Sequence, residues 1–353
     1  MSEITNVTVE PLELALHDPF EIALGTQTAA SNVLVTVETD AGVVGYGEGA
    51  PTPHVTGETQ ASSLETARGL ATLLEGRDVR RHREIVDELR AVVPGAVSTL
   101  YAIETAIIDA HCRELEIPLA ELFGGVPESV ETDMTIPIVP PSTASDRARA
   151  IVDRGFEEIK IKTGTDLETD IQRVLAVADA APEAVLKVDA NQGWTPKETI
   201  RFDAVLRDAG VRLELIEQPV AKSDVTGLGR VTRRVETPVA ADETVFSPTD
   251  ATTVVREDAA DILNIKLVKS GVYGAVDIAR IGAAAHLDCM VGCMLESSIG
   301  IHTSAHVVSA LGGFDYVDLD STHLLAEDVV AESTDGPTIE PRGPGHGITP
   351  ETN

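Results

Sequence analysis

Glu158-Ile-Lys-Ile-Lys162, Leu186-Lys-Val-Asp-Ala-Asn191, Leu213-Glu-Leu-Ile-Glu-Gln-Pro219, Val239-Ala-Ala-Asp-Glu243 and Ile262-Leu-Asn-Ile-Lys266 follow one another along the chain. Each carries one side chain able to hold a metal or move a proton: Lys162, Asp189, Glu217, Asp242 and Lys266, separated by 27, 28, 25 and 24 residues. About that many residues make one strand, one covering helix and two short loops. Each of the five closes a short apolar, β-branched run. All five are therefore expected at the carboxyl ends of consecutive parallel strands, the face on which β/α barrels build their active sites.

Outward from this stretch, Glu131-Thr-Asp-Met-Thr-Ile-Pro-Ile-Val139 reads as the first strand of the barrel, Cys289–Glu296 as the seventh and Phe314–Asp320 as the eighth. Thr165-Asp-Leu-Glu168 and Thr195-Pro-Lys-Glu198 are capping-box sequences, and Ser247-Pro248 starts a further helix. An alanine-rich helix is expected from about Tyr273 to Leu287. Upstream, residues 5–15, 32–39 and 43–48 alternate as an antiparallel meander, with loops at Phe20–Ser31 and Gly49–Thr59, and residues 62–122 turn helical. The predicted fold is α/β: a modified TIM barrel, (β/α)7β, over residues 126–322, with an α+β capping domain over 1–125. The Gly- and Pro-rich tail, 323–353, is expected to return to that cap.

The 353 residues carry 27 basic and 58 acidic side chains, a net charge of −31. Such a surface repels nucleic acid and anionic membranes. The acids are scattered, which reads as adaptation to a high-salt cytoplasm where counterions screen self-repulsion. Three cysteines form no disulfide framework, and the first residues lack a secretory pattern, so a reduced cytoplasmic setting is expected. Only seven lysines occur, and four of them fall in Lys160-Ile-Lys162 and Lys266-Leu-Val-Lys269. Surface solvation explains these poorly.

Residues two apart on a strand share a face, so Lys160 and Lys162 both point inward. A neighbouring ammonium and burial lower a lysine pKa toward the range of a general base, which is the behaviour expected of Lys162. Asp189, Glu217 and Asp242 would converge from three adjacent strands, and a hard divalent cation, best Mg2+, resolves their repulsion. It would act as a Lewis acid on a substrate carboxylate and stabilise the enediolate formed on loss of the α-proton. Lys266 lies on the far side of these acids from Lys162, and two bases on opposite faces of one carbon are what inversion needs. His302-Thr-Ser-Ala-His306 lacks the glutamate of a zinc-protease helix and is read as structural.

With Lys160-Ile-Lys162, Asp189-Ala-Asn191, Glu217-Gln-Pro219, Asp242-Glu243 and Asn264-Ile-Lys266 in place, the whole chain resembles the enolase superfamily, and within it the muconate-lactonising subgroup. The resemblance implies abstraction of a proton α to a carboxylate, with Asp189, Glu217 and Asp242 as metal ligands. Asn191 and Glu243 are expected to steer the ligands and Lys266. Asp318-Leu-Asp320, after Gly292-Cys-Met-Leu-Glu296, is similar to the dipeptide epimerases, whose Asp-x-Asp pair would receive the substrate's ammonium. Two added acids also disfavour the dianions of a cycloisomerase or an o-succinylbenzoate synthase. An N-acylamino acid racemase and a noncatalytic carboxylate-binding barrel are the other readings. Glu296 is a candidate for orienting substrate. No Lys or Arg precedes Arg68, so the first capping loop offers no cation to an acidic side chain, and Glu21 would favour a basic one. The partners expected are a dipeptide substrate and further copies of the chain in a homo-oligomer.

Overall fold

The computed structural model describes residues 2–331 and 335–351. An antiparallel sheet of β1 (Ile4–Ile22), β2 (Gly25–Thr39) and β3 (Val44–Gly49), in that order, opens the chain. Its alternation buries Val33, Val35 and Val37 in one apolar cluster with α1 (Gln60–Ala71), α2 (His82–Val92) and α3 (Val97–Glu114). β3 lies directly on α3: a Cβ on Gly47 would stand 2.0 Å from the Ala102 carbonyl oxygen, a place only glycine fits.

The segment expected to be a loop, Phe20–Ser31, is instead hairpin. β1 and β2 run on through the pairs Phe20–Gln27, Glu21–Thr26 and Ile22–Gly25. Its polar and small side chains, Thr26-Gln-Thr-Ala-Ala-Ser31, show no hydrophobic alternation. Backbone pairing alone carries the ladder outward.

After α4 (Leu119–Leu122), the predicted first barrel strand divides into β4 (Val130–Glu131) and β5 (Met134–Ile136). β5 opens a parallel succession: α5 (Pro141–Asp153), β6 (Glu158–Lys162), α6 (Leu167–Ala180), β7 (Val185–Asp189), α7 (Pro196–Asp208), β8 (Leu215–Glu217), α8 (Val225–Thr232), β9 (Val239–Ala241), α9 (Pro248–Arg256), β10 (Ile262–Ile265), α10 (Leu267–Ala285), β11 (Asp288–Gly292), α11 (Ser298–Leu311) and β12 (Tyr316–Asp318). The eight strands β5 to β12 pair in sequence order. At the seam between first and last, the Asp133 N–H donates to the Val317 carbonyl at 3.2 Å and the Leu319 N–H to Thr132 Oγ1 at 2.7 Å. β4 pairs with β13 (Thr338–Ile339) of the tail. Further along, the His346 N–H donates to Asp109 Oδ1 of α3 at 3.0 Å. His306 is structural: its ring faces the Arg342 carbonyl at 2.9 Å.

The caps of α7 and α9 form as expected, with Thr195–Glu198 reciprocal and Ser247 accepting from the Asp250 N–H. The box expected at Thr165 does not form. Asp166 caps α6, while Thr165 turns to Asp170, a buried carboxylate paired with Arg173 at 2.6 Å. α10 opens with a short helical turn directly after Lys266 and breaks at Gly271, whose φ is +76°, so that its long alanine-rich part starts at Val272, about where expected. There Glu104 of α3 accepts from the Val272 and Tyr273 N–H groups at 3.0 Å each, so a carboxylate of the cap domain caps the start of a barrel helix.

Candidate active site

A small apolar layer, Leu215, Ala240, Ile262 and Met290, fills the amino-terminal end of the barrel. Above it the inward positions change character. Asp189 and Glu217 close β7 and β8, Asp242 follows β9 directly, and all three are buried. One carboxylate oxygen from each lies within 4.8 Å of the others.

Strand order decides where the lysines stand. Lys162 ends β6 and Lys266 follows β10, so the three carboxylate-bearing strands lie between the two lysine-bearing ones. Lys162 Nζ is 2.6 Å from Asp189 Oδ2 on one side, and Lys266 Nζ is 2.7 Å from Asp242 Oδ2 on the other. Lys160 is the deeper lysine. Its Nζ donates to Asp318 Oδ2 at 2.6 Å and lies equally close to Glu217 Oε2, though not aligned for a hydrogen bond.

The remaining predicted residues divide into those at this cluster and one apart from it. The Asn191 N–H holds Asp189 Oδ1 at 2.8 Å, and Asn191 Nδ2 reaches Glu243 Oε1 at 3.3 Å. Asp320 Oδ2 accepts from the Thr135 N–H at 2.7 Å across the seam. Glu296 is buried; its Oε1 accepts from the Met294 N–H, and its Oε2 accepts nothing. Glu21 is exposed on the β1–β2 hairpin. That hairpin nonetheless touches the barrel mouth: the Ile138 N–H donates to the Glu21 carbonyl at 2.9 Å, and a Cβ on Gly164 would stand 3.0 Å from that of Ala23.

Family models match both parts of this architecture. Residues 4–124 fit the mandelate racemase/muconate lactonizing enzyme N-terminal domain, and residues 143–353 fit the enolase C-terminal domain-like model. The chain belongs to the enolase superfamily. It is 38% identical over 344 residues to a hydrophobic dipeptide epimerase of Enterococcus faecalis, covering 96% of this chain and 95% of the relative. It is 36% identical to an L-Ala-D/L-Glu epimerase of Bacillus subtilis, covering 98% and 96%. The crystal structure of the Enterococcus faecalis V583 dipeptide epimerase with Mg and L-Leu-L-Tyr superposes with a TM-score of 0.95 at 36% identity, over 98% of this chain and 99% of that one. This superfamily member is an isomerase acting on amino-acid derivatives.

Carboxylates dominate the electrostatics at the mouth. Burial disfavours charge on Lys160, but Asp318, Glu217 and Asp189 outweigh it and hold its pKa well above the ordinary value. At Lys266, burial is likewise overcome by Asp242 and Glu217. Carboxylates, more than lysine neighbours, set the charge at these two. Lys269 differs: burial and the nearby Lys266 lower its pKa despite Asp242. Among the acids, burial and Asp189 push Glu217 up to about 8. Burial also opposes charge on Asp242, yet Lys266 and Lys269 hold it well below the carboxylate range.

The donor set suits a hard divalent cation. It consists of three buried carboxylates offering oxygen alone, close enough to share one ion, with no soft ligand among them. Three contributors escaped the sequence reading as site residues. Lys269 Nζ donates to Asp242 Oδ1 and to its carbonyl at 2.6 Å each, a role the scarcity of lysine could have flagged. Asn264 Nδ2 donates to Glu217 Oε1 at 2.7 Å and is inward by alternation from Lys266. Gln218 Oε1 accepts from the Asp242 N–H at 2.9 Å, and nothing local in Glu217-Gln-Pro219 announces that contact.

Proposed function

We propose that the protein is a magnesium-dependent dipeptide epimerase that inverts the α-carbon of the C-terminal residue. Asp189, Glu217 and Asp242 would hold the ion. Bound there, the ion supplies Lewis acidity toward the substrate's carboxylate. The carrying observation is the placement of the triad's strands between those of Lys162 and Lys266. In this reading one lysine takes the α-proton from one face and the other delivers a proton to the opposite face. Lys160, deep beneath them, contributes positive charge under the substrate carboxylate and keeps Asp318 ionised; against the cost of burial it holds that acid near pKa 2. Asp318 and Asp320 receive the dipeptide's α-ammonium, and Glu296, Asn191 and Glu243 keep neighbouring groups in register.

Side-chain preference follows from the cap. The β1–β2 turn and the 52–55 segment enclose a recess of about 90 Å3 lined by Ile22, Leu24, Pro53 and Val55, and no lysine or arginine lies among its walls. An apolar or small C-terminal residue fits it better than glutamate, and Glu21, exposed on the same hairpin beside Ile22, would tolerate a basic one. A cytoplasmic, high-salt setting and a homo-oligomeric state complete the reading; among the described residues no helix is long and apolar enough to cross a membrane.

Mass spectrometry of solvent deuterium entering a library of L,L-dipeptides, with Mg2+ and high salt, tests this. Exchange in dipeptides with apolar, small or basic second residues, and not in those with acidic ones, is expected. Exchange only in N-acylamino acids or a succinylbenzoate precursor would overturn it.

A further inference from the structure

Asp133, in Glu131-Thr-Asp-Met134 at the seam, has no part in the reading above. Its side chain is fully buried; Lys187 Nζ donates to Oδ2 at 3.0 Å, and Oδ1 accepts no hydrogen bond. A carboxylate oxygen left without a partner in the interior is costly unless something else meets it. What surrounds Asp133 is more acid. One oxygen each from Asp133, Asp318 and Asp320 lie within 4.8 Å of one another.

The neighbouring cations, Lys160 and Lys187, each meet this triangle at one corner. Of its three corners, Lys160 pairs only with Asp318 and Lys187 only with Asp133, and these lysines also serve Glu217 and Glu158. The cluster is short of positive charge. Its geometry says what would supply it. Because the three oxygens lie no more than 4.8 Å apart, a point among them lies at most about 2.8 Å from each, within hydrogen-bond reach of a single ammonium. A primary ammonium has three donors arranged about one axis, whereas a guanidinium is a flat fork suited to one carboxylate at a time.

We propose that Asp133 is the third carboxylate of the ammonium subsite, so that the α-ammonium donates one hydrogen bond each to Asp133, Asp318 and Asp320. The inference rests on the dipeptide reading and extends it to a residue on the opposite side of the barrel seam. A cradle drawn from the first and last strands also ties substrate binding to seam closure.

The test compares the Ala-Xaa dipeptide best exchanged by the native protein with its N-propionyl-Xaa counterpart, which differs only in lacking the ammonium. Asp133→Asn is expected to lower kcat/KM for Ala-Xaa by about ten- to hundredfold, mainly through KM, and to leave exchange of N-propionyl-Xaa within about twofold of native. Equal losses for the two substrates, or no loss for either, would overturn the proposal. Should Asp133→Asn fail to fold by circular dichroism, D133N/K187Q, which removes the ion pair as a unit, is read by the same ratio. Native protein that exchanges N-propionyl-Xaa as fast as Ala-Xaa would sink the dipeptide reading itself, before any variant is made.

Discussion

Lys160 Nζ lies 2.6 Å from Asp318 Oδ2, an ion pair that crosses the barrel interior from its second strand to its eighth. The same Nζ sits 2.6 Å from Glu217 Oε2 and 3.5 Å from Asp189 Oδ2, so one buried ammonium neutralises acids from three strands. Removing it strands buried negative charge. Lys160→Met is expected to lower unfolding free energy by about 3–5 kcal/mol, read from urea denaturation. An unchanged midpoint would show that these acids protonate at little cost.

Lys162→Ala and Lys266→Ala should each lower epimerisation by about a hundred- to ten-thousandfold. The two should differ in stereochemistry, because each lysine serves one face. Deuterium exchange into the L,L and L,D diastereomers separates them: each variant is expected to retain wash-in for one diastereomer and lose it for the other. Identical profiles would argue against opposed bases.

Asp320→Asn keeps an acceptor for the Thr135 N–H but removes the charge. KM for dipeptides should rise about ten- to hundredfold, while N-acylamino acids, which lack the ammonium, are unaffected. Steady-state kinetics on both classes decide it.

Chelation should abolish exchange without unfolding the chain. Lys162, Lys160, Lys266 and Lys269 all lie within 3.5 Å of triad carboxylates, so the acids keep counter-charges when no ion is bound. Dialysis against EDTA is expected to eliminate activity, Mg2+ to restore it, and the far-ultraviolet circular dichroism spectrum to stay the same throughout. Loss of helical signal on chelation would count against lysine compensation.

Stability should climb with salt. At a net charge of −31, raising KCl from about 0.1 to 1 M shortens the screening length from about 10 to 3 Å and weakens self-repulsion. A melting temperature that rises steeply over that range is expected, and a flat response would remove the high-salt reading.

What could be read from the chain alone was what repeats along it. The five-member series from Lys162 to Lys266 follows strand–helix units of nearly constant length, and a parallel sheet puts the ends of such units on one face whatever the surrounding loops do. The caps at Thr195 and Ser247 were equally local, since a few adjacent residues make each motif. Where a distant partner competes, local reading fails. Thr165 gave up its cap to Asp170, the hairpin through Phe20–Ser31 is held by ladder bonds that its polar side chains do not announce, and α10 breaks where Glu104 reaches over from the cap. Asp133 marks the same limit: seven other strands separate it along the chain from Asp318, and only closure of the barrel brings their carboxylates within 4.8 Å. Spacing along the chain determined the scaffold and its ring of acids and bases. Which acid meets which lysine was decided by tertiary structure, because ion pairs and hydrogen bonds act through space over a few ångströms and leave no period in the sequence.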